Sequence, residues 1–439
     1  MNYYSTLKPV SLSESQTAVL NELLYGGPGI YFLTGNAGCG KSTVSTELMK
    51  RSYQSILATA PTGVAALNLK GATLHSTFRM EPKLYTPEVS FNRNDLGKTN
   101  FDPVRWAEVI IVDEASMVRS DFIHAINKKL QTICMNREPF GGKKVILVGD
   151  LFQLPPIVMQ GFERNYIIEH YGSPYFFDAP VFKETPIKML NLQEVFRQKD
   201  DKFVAMLNRV RRGACTSEDL DMLNSRVIKK IPENAMTVTP YRSVCDEANH
   251  NALKALTGTE AVYTAKVIGY FKASDFPTDY NLVLKKDAQV VVLKNDPDKR
   301  FVNGSVGKIK DLSEDVITIK LENDTWIELR REIWQKSKYV SRDGQLVTEV
   351  EGSFEQFPVK LAWALTIHKM QGMTVDRLHL NIGKGAFETG QTYVALSRTK
   401  SLEGLTLERP ITAADVMVDP KIIDFYNKHS NSTDGHFNR

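Results

Sequence analysis

Short, nearly continuous apolar runs alternate with helix-like stretches through the first part of the chain. The runs are 29–34, Ile56–Ala60, Val109–Val112 and Lys144–Val148, and each ends in a polar or Gly/Pro turn. Runs that are apolar on both faces predict strands buried in a parallel sheet, with the intervening helices as crossovers. Between Arg79 and Asp102 the alternation stops. Segment 79–102 is polar, with two prolines and several asparagines, and reads as a surface insertion.

A second alternating block follows. Phe203, Met206, Leu207 and Val210 share one helical face, Gly213 stands beyond them as a C-cap, and Met236–Thr239 predicts another strand. Short strands at 291–293, 305–309, 316–319 and 325–329, with close-set turns, predict a small β-barrel. Buried-strand texture returns at 359–365, and the polar stretch 427–439 is expected to fray. The pattern predicts an α/β protein. Its first domain spans 1–187, its second is built from 188–292 and 359–426, and a β module at 293–358 interrupts the second.

Composition narrows the class. The chain has 439 residues, which suits about three domains. Its 42% hydrophobic and 24% charged shares are those of a globular protein. The 55 Lys+Arg and 51 Asp+Glu leave a net charge of +4, compatible with a locally basic groove but no proof of one. No apolar run reaches the roughly 18 residues of a membrane span, and the polar start of the chain has no signal-peptide core. The four cysteines lie far apart with no C-x-x-C pair, which argues against a zinc or iron–sulfur site and suits a reducing compartment.

Gly35, Asn36, Ala37, Gly38, Cys39, Gly40, Lys41 and Ser42, followed by Thr43, fit G-x-x-x-x-G-K-[ST] between a strand and a helix. Such glycines let backbone N–H groups close around a triphosphate, and the helix N-terminus adds positive partial charge. Lys41 is expected to reach the β- and γ-phosphates and Ser42 to hold Mg²⁺; Cys39 fills a free position of the loop. Asp113 and Glu114 end the run Val109–Val112, where one carboxylate can bind Mg²⁺ and the next can polarise the attacking water. Together these residues predict a Mg²⁺-dependent nucleoside triphosphatase. Gln153 ends the fourth strand, where it can sense the γ-phosphate. Arg197 and Arg398 fall in the second block, from which cations can reach across a cleft, an arrangement worth about 10³–10⁵ in rate. No N-K-x-D base-recognition segment is present, so a G-protein is disfavoured.

From about Leu12 to Leu407, this ordered set resembles the superfamily-one 5′→3′ DNA helicases, and within them the petite-integration-frequency (PIF) family. RecD-like helicases are the nearest relatives. The most specific piece is Pro139-Phe140-Gly141-Gly142 ahead of Gly149-Asp150-Leu151-Phe152-Gln153-Leu154-Pro155. The resemblance implies two RecA-like domains, a Src-homology-3-like barrel in the second, and a duplex-splitting wedge at 79–102. It implies ATP and Mg²⁺, with Lys41, Glu114, Gln153, Arg197 and Arg398 catalytic. Gln16, the loop from Gly35 to Thr43, and Gly372 would hold the nucleotide, and Ser42 and Asp113 the metal. Pro61, Thr62, Gly63, Val64, His75, Phe78, Thr366, His368 and Lys369 would contact single-stranded DNA, with Phe78 stacking a base.

The expected partners are single-stranded DNA, tailed or forked duplex, and a single-stranded-DNA-binding protein, for a monomer acting away from membranes. The long N-terminal extension of eukaryotic members has no counterpart in this sequence, so a bacterial or viral cytoplasmic, nucleoid-associated protein is expected. Three other readings stay open. They are a RecD-like translocase, a P-loop phosphotransferase, and a nucleic-acid-binding protein with a relic ATP fold.

Overall fold

The computed structural model describes residues 11–92, 101–198, 200–232, 235–296, 300, 301, 303–342 and 345–430. The first domain runs α1 (Glu14–Tyr25), β1 (Ile30–Gly35), α2 (Lys41–Arg51), β2 (Ile56–Ala60), α3 (Gly63–Asn68), β3 (Ala72–Thr73) and α4 (Leu74–Phe78). It continues through α5 (Asp102–Trp106), β4 (Val109–Val112), α6 (Ser120–Cys134), β5 (Lys144–Val148), α7 (Phe162–Tyr171), α8 (Pro180–Glu184) and β6 (Ile187–Leu192). Its sheet is parallel, in the order β3-β2-β4-β5-β1-β6.

The near-continuous apolar runs are explained by this sheet. Phe32, Ile110, Val112, Val145 and Leu147 point into one core with α6. Their chain neighbours Tyr31, Leu33, Val109, Ile111, Ile146 and Val148 point into another, beneath α1 and α2. Alternate residues face opposite sides of a strand, so a sheet covered on both faces has no polar position to spare.

The second domain adds α9 (Asp201–Arg211), α10 (Ser217–Asn224), β7 (Met236–Thr239) and α11 (Arg242–Ala255). Then come the insert strands β8 (Ala261–Thr264), β9 (Lys266–Gly269), β10 (Asn281–Leu284), β11 (Gln289–Val292), β12 (Val306–Leu312), β13 (Ile317–Leu321) and β14 (Trp326–Leu329). The insert closes with β15 (Glu332–Arg342), β16 (Gln345–Gln356) and β17 (Val359–Leu361). The domain then resumes with β18 (Ala364–Thr366), β19 (Leu378–Leu380), α12 (Gln391–Leu396), β20 (Leu405–Leu407) and α13 (Pro420–Ser430). Its sheet is parallel, β18-β7-β19-β20. The predicted face of α9 (Phe203, Met206, Leu207, Val210) lies in the core beneath it. Two parallel sheets flanked by helices match the expected RecA-like pair.

Four expectations change. Strand β6, read from sequence as the start of the second domain, pairs with β1 along Ile30–Gly35 and is an edge of the first sheet. The insert is wider than 293–358: β11 and β17 are hydrogen-bonded neighbours within the antiparallel sheet β14-β13-β12-β11-β17, and Tyr263, Leu282 and Leu284 share its core. The segment ahead of the insert is therefore recruited by long-range pairing that no local pattern reveals.

The expected boundary between the second domain and a fraying tail, after 426, falls inside helix α13. The helix crosses back to the first domain, where Ile422 and Phe425 join the core containing Phe32 and Phe176. Residues 431–439 lie outside the described residues.

The insertion 79–102 is not a free surface loop at its near end. Met80 and Tyr85 are buried in the first core, and 93–100 lie outside the described residues. Helix α6 fastens it. Asp121 accepts from Tyr85 N–H at 3.0 Å, Lys129 donates to Arg79 O at 3.1 Å, and Thr132 donates to Phe91 O at 2.9 Å. Lys143 holds the returning chain through Arg105 O and Ala107 O.

Candidate active site and nucleic-acid interface

Strand β1 delivers the chain into the phosphate loop, and α2 begins at Lys41 with no side-chain cap, so its first N–H groups face the loop. Two glycines are needed for shape and space together. Gly38 has φ +82°, and a Cβ there would lie 2.5 Å from Arg197 Cβ. Gly40 has φ +85°, and a Cβ there would lie 2.3 Å from Gln16 Nε2. Only glycine combines left-handed backbone with so close an approach. Lys41 Nζ donates to Gly35 O at 2.7 Å and to Asn36 O at 3.0 Å, so the ammonium sits at the mouth of the loop.

Gln16 is at the loop, as expected, but both ends of its amide are engaged. Nε2 donates to Cys39 O at 3.2 Å and Oε1 accepts from Ser13 N–H at 3.1 Å. Here it pins α1 to the loop rather than offering a free amide to a base. Gly372, also expected at the nucleotide, is exposed at φ +81° with open space around it.

Asp113 and Glu114 leave β4 beside the loop. Asp113 Oδ1 accepts from Glu114 N–H at 2.9 Å. Glu114 has φ +49°, a left-handed conformation costly for a residue with a Cβ. Burial, and then the neighbouring Asp113, push the Glu114 carboxyl up to about 7; burial also raises Asp113. Gln371, from the second domain, donates to Glu114 Oε2 at 2.9 Å. Ser42 and Asp113 offer the hydroxyl and carboxylate oxygens that suit Mg²⁺. Among the described residues no three His, Cys, Asp or Glu gather into a metal cage.

Gln153 is buried on the turn after β5, and Gly390 of the second domain packs so tightly there that a Cβ would lie 2.3 Å from Gln153 O. Arg197 and Arg398 converge on the loop from the far side. Arg197 donates to Ser397 O at 3.0 Å, and the neighbouring Phe196 N–H donates to Gly38 O at 2.9 Å. Arg398 is 2% exposed, and its hydrogen bonds go to Val394 O, Ser397 Oγ and Met373 O, all neutral acceptors. Burial, and then the like charge of Arg197, lower the Arg398 guanidinium to about 9. A buried cation beside a second, partly buried one is unfavourable until an anion joins them. Tyr393 completes the contact by accepting from Ala37 N–H at 2.9 Å.

The expected DNA-contacting residues form two groups. In the first domain, Pro61 and Gly63 flank Thr62, the N-cap of α3, and Val64 is half exposed. His75 stacks on Phe122, with ring centroids 4.3 Å apart; burial and then Arg119 lower its pKa. Phe78 contradicts its expected role. It is 0% exposed, packed in the first core with Leu74 and Phe101, and offers no face to a base. An apolar ring on a short helix over a sheet gains more from the core than from water, which a motif match cannot register.

The insert covers part of this group. A Cβ at Gly63 would lie 2.9 Å from Asp275 Cβ, and Leu67 of α3 packs against the cluster of Phe271 and Phe354. In the second domain, Thr366 ends β18 and is buried, Lys369 is exposed, and His368 Nε2 lies 3.9 Å from Glu388 Oε2.

Sequence reasoning passed over Gln371, Tyr393 and the buried pair of Asp150 with Arg211. Gln371 and Tyr393 stood inside quoted motifs without a role. Arg211 had no signal beyond being a charge at the end of an apolar helical face.

The PIF1-like helicase family matches residues 11–221. The ATP-dependent DNA helicase Pif1 of Bdellovibrio bacteriovorus is 32% identical over 430 residues, covering 95% of this chain and 92% of its own. The zebrafish (Danio rerio) ATP-dependent DNA helicase PIF1 is 32% identical over 90% of this chain, which spans 60% of its length. The structure of Bacteroides sp Pif1 with ADP-AlF4 superposes with a TM-score of 0.91 at 33% identity, over 97% of this chain and 98% of that one. Bacteroides Pif1 bound to single-stranded DNA gives 0.68 at 34% identity over the same shares. With the phosphate loop, the carboxylate pair and both arginines brought together, the chain belongs to the PIF1-like helicase family and is an ATP-hydrolysing DNA helicase.

Proposed function

We propose that the chain translocates 5′→3′ on single-stranded DNA and separates duplex ahead of it, with ATP hydrolysed between the two RecA-like domains. The observation that carries this is the pair of partly buried Arg197 and buried Arg398, set against the phosphate loop, whose hydrogen bonds among the described residues go to neutral acceptors. Lys41 and the N–H groups of α2 bind the phosphates; Ser42 and Asp113 would hold Mg²⁺, which would supply neutralisation of the phosphate charge. Glu114, once ionised, takes the proton of the attacking water, and Gln153 orients that water. The arginines stabilise charge developing on the transferred phosphoryl group. Before hydrolysis the γ-phosphate ties Lys41 to the arginines, and its release loosens the domains. The cycle is a two-state hinge biased by ligand.

Single-stranded DNA would cross Pro61, Thr62, Gly63, Val64 and His75 on the first domain and Thr366, His368 and Lys369 on the second. Because Asp275 lies against Gly63, the insert has to move aside for DNA to occupy the first group. The different superpositions on unliganded and single-stranded-DNA-bound Bacteroides Pif1 support that reading. Forked duplex as substrate, the wedge at 79–102, a Src-homology-3-like insert, action as a monomer, a single-stranded-DNA-binding partner and a bacterial or viral cytoplasmic setting belong to the same proposal. Strand displacement with ATP and Mg²⁺ on duplexes carrying either a 5′ or a 3′ tail tests it. Unwinding from the 5′ tail alone is expected, and unwinding only from the 3′ tail overturns the polarity.

A further inference from the structure

A layer of side chains that does not face the phosphates holds the turn carrying Gln153. The Asp150 carboxylate organises that turn by accepting from Phe152 N–H at 3.2 Å, while Gln153 N–H donates to Asp150 O at 3.0 Å. Two clamps close on it from elements that follow the first domain in sequence. Arg211, the last residue of α9, forks onto Asp150 with contacts of 2.7 and 3.1 Å, and both side chains are buried. Its guanidinium lies 4.4 Å from the centre of the Phe152 ring. Tyr426 of α13 stacks on the same ring, with centroids 5.0 Å apart and planes 14° apart. The Tyr426 hydroxyl reaches Thr34 Oγ1 at 2.6 Å and also bonds the Leu151 backbone. Thr34 is the residue before Gly35, so Tyr426 touches the root of the phosphate loop and the turn of the γ-phosphate sensor together.

We propose that Arg211 and Tyr426 are positioning residues for ATP hydrolysis. From the second domain and the C-terminal helix they set the spacing between the phosphate loop and Gln153 without touching nucleotide. The proposal rests on the helicase reading above, in which Gln153 orients the attacking water. A forked, buried Arg–carboxylate pair has one tight geometry, and Lys cannot reproduce its two parallel hydrogen bonds. Small displacements of a reacting group cost rate more than binding, because the ground state tolerates what the transition state does not.

The test is single-strand-stimulated ATP hydrolysis by Tyr426→Phe, which keeps the ring and its stack and loses only the hydroxyl. We expect kcat to fall about tenfold, with KM for ATP and the melting temperature unchanged. Arg211→Lys is expected to behave the same way, and where it melts early, Tyr426→Phe decides. Asp424→Asn, on the exposed side of α13, leaves kcat at the wild-type value. An unchanged kcat in Tyr426→Phe overturns the inference. So does a fall matched by a raised KM or a lowered melting temperature. Wild-type protein without DNA-stimulated hydrolysis overturns the helicase reading instead.

Discussion

In the base role proposed for it, Glu114 combines a strained backbone with a partly buried carboxyl. Its left-handed backbone and the adjacent Asp113 are unfavourable for stability, yet they place a carboxyl of pKa about 7 against the phosphate loop. A base works only when ionised. In the free enzyme Glu114 holds its proton below about 7 and releases it above. The prediction is that kcat/KM for ATP rises as pH increases through about 7, and that Glu114→Gln abolishes turnover and with it this rise. A pH–rate profile at constant ionic strength reads both, and a flat wild-type profile across that range would contradict the assignment.

Phe78 teaches the opposite lesson. The sequence places it in a DNA-contacting segment; burial assigns it to the core. Phe78→Ala is expected to cost about 3–5 kcal/mol of stability through the cavity it leaves. Thermal melting of the variant checks this, and an unaltered melting curve with weakened oligonucleotide binding would restore the stacking role.

Among elements, α6 does most to connect the two halves of the first domain's business. It lies between the carboxylate pair and the Gln153 strand in sequence. In space its side chains hold the insertion after α4 at Arg79, Tyr85 and Phe91. Asp121 is the centre: fully buried, it takes both Arg119 donors and the Tyr85 N–H. Removing Asp121 leaves Arg119 to Glu163 alone and strands the buried Tyr85 N–H. Asp121→Ala is expected to cost about 1–3 kcal/mol. Unwinding should also suffer more than single-strand-stimulated ATP hydrolysis, because the insertion loses its mount. Parallel assays of the two activities at a temperature where the variant stays folded decide it; equal losses would reduce Asp121 to a purely structural residue. The four central strand positions were legible from sequence because each is apolar on both faces. Strand β6 was not: Lys188 and Asn191 interrupt it as exposed edge positions, and its partner β1 lies far away in sequence.

At the scale of the whole molecule, the insert and α13 both fold back onto the first domain. The insert sits on α3 at Gly63, against the segment proposed to contact DNA, while Val64 beside it stays half exposed. A Cβ built at Gly63 lies 2.9 Å from Asp275 Cβ, which puts a disulfide within reach of a small backbone shift. The double variant Gly63→Cys with Asp275→Cys is expected to lose single-stranded-DNA affinity when oxidised and regain it when reduced. Fluorescence anisotropy with a labelled oligonucleotide measures this. Equal affinity in both redox states would mean that DNA never needs the covered surface.

The amino-acid sequence by itself determined the chemistry and the local elements. A phosphate loop needs its glycines and lysine contiguous, a carboxylate pair needs the strand directly before it, and burial on both faces writes itself into every residue of a strand. Those are constraints between near neighbours, so they survive in one dimension. Only the tertiary structure decided that Gln371 meets Glu114, that Arg211 and Tyr426 clamp the Gln153 turn, that Phe78 is core, and that α13 returns to the first domain. Each of these joins residues far apart along the chain, and its favourable energy exists only once both domains have closed loops to bring the partners together. No local pattern encodes a contact whose two halves are specified separately.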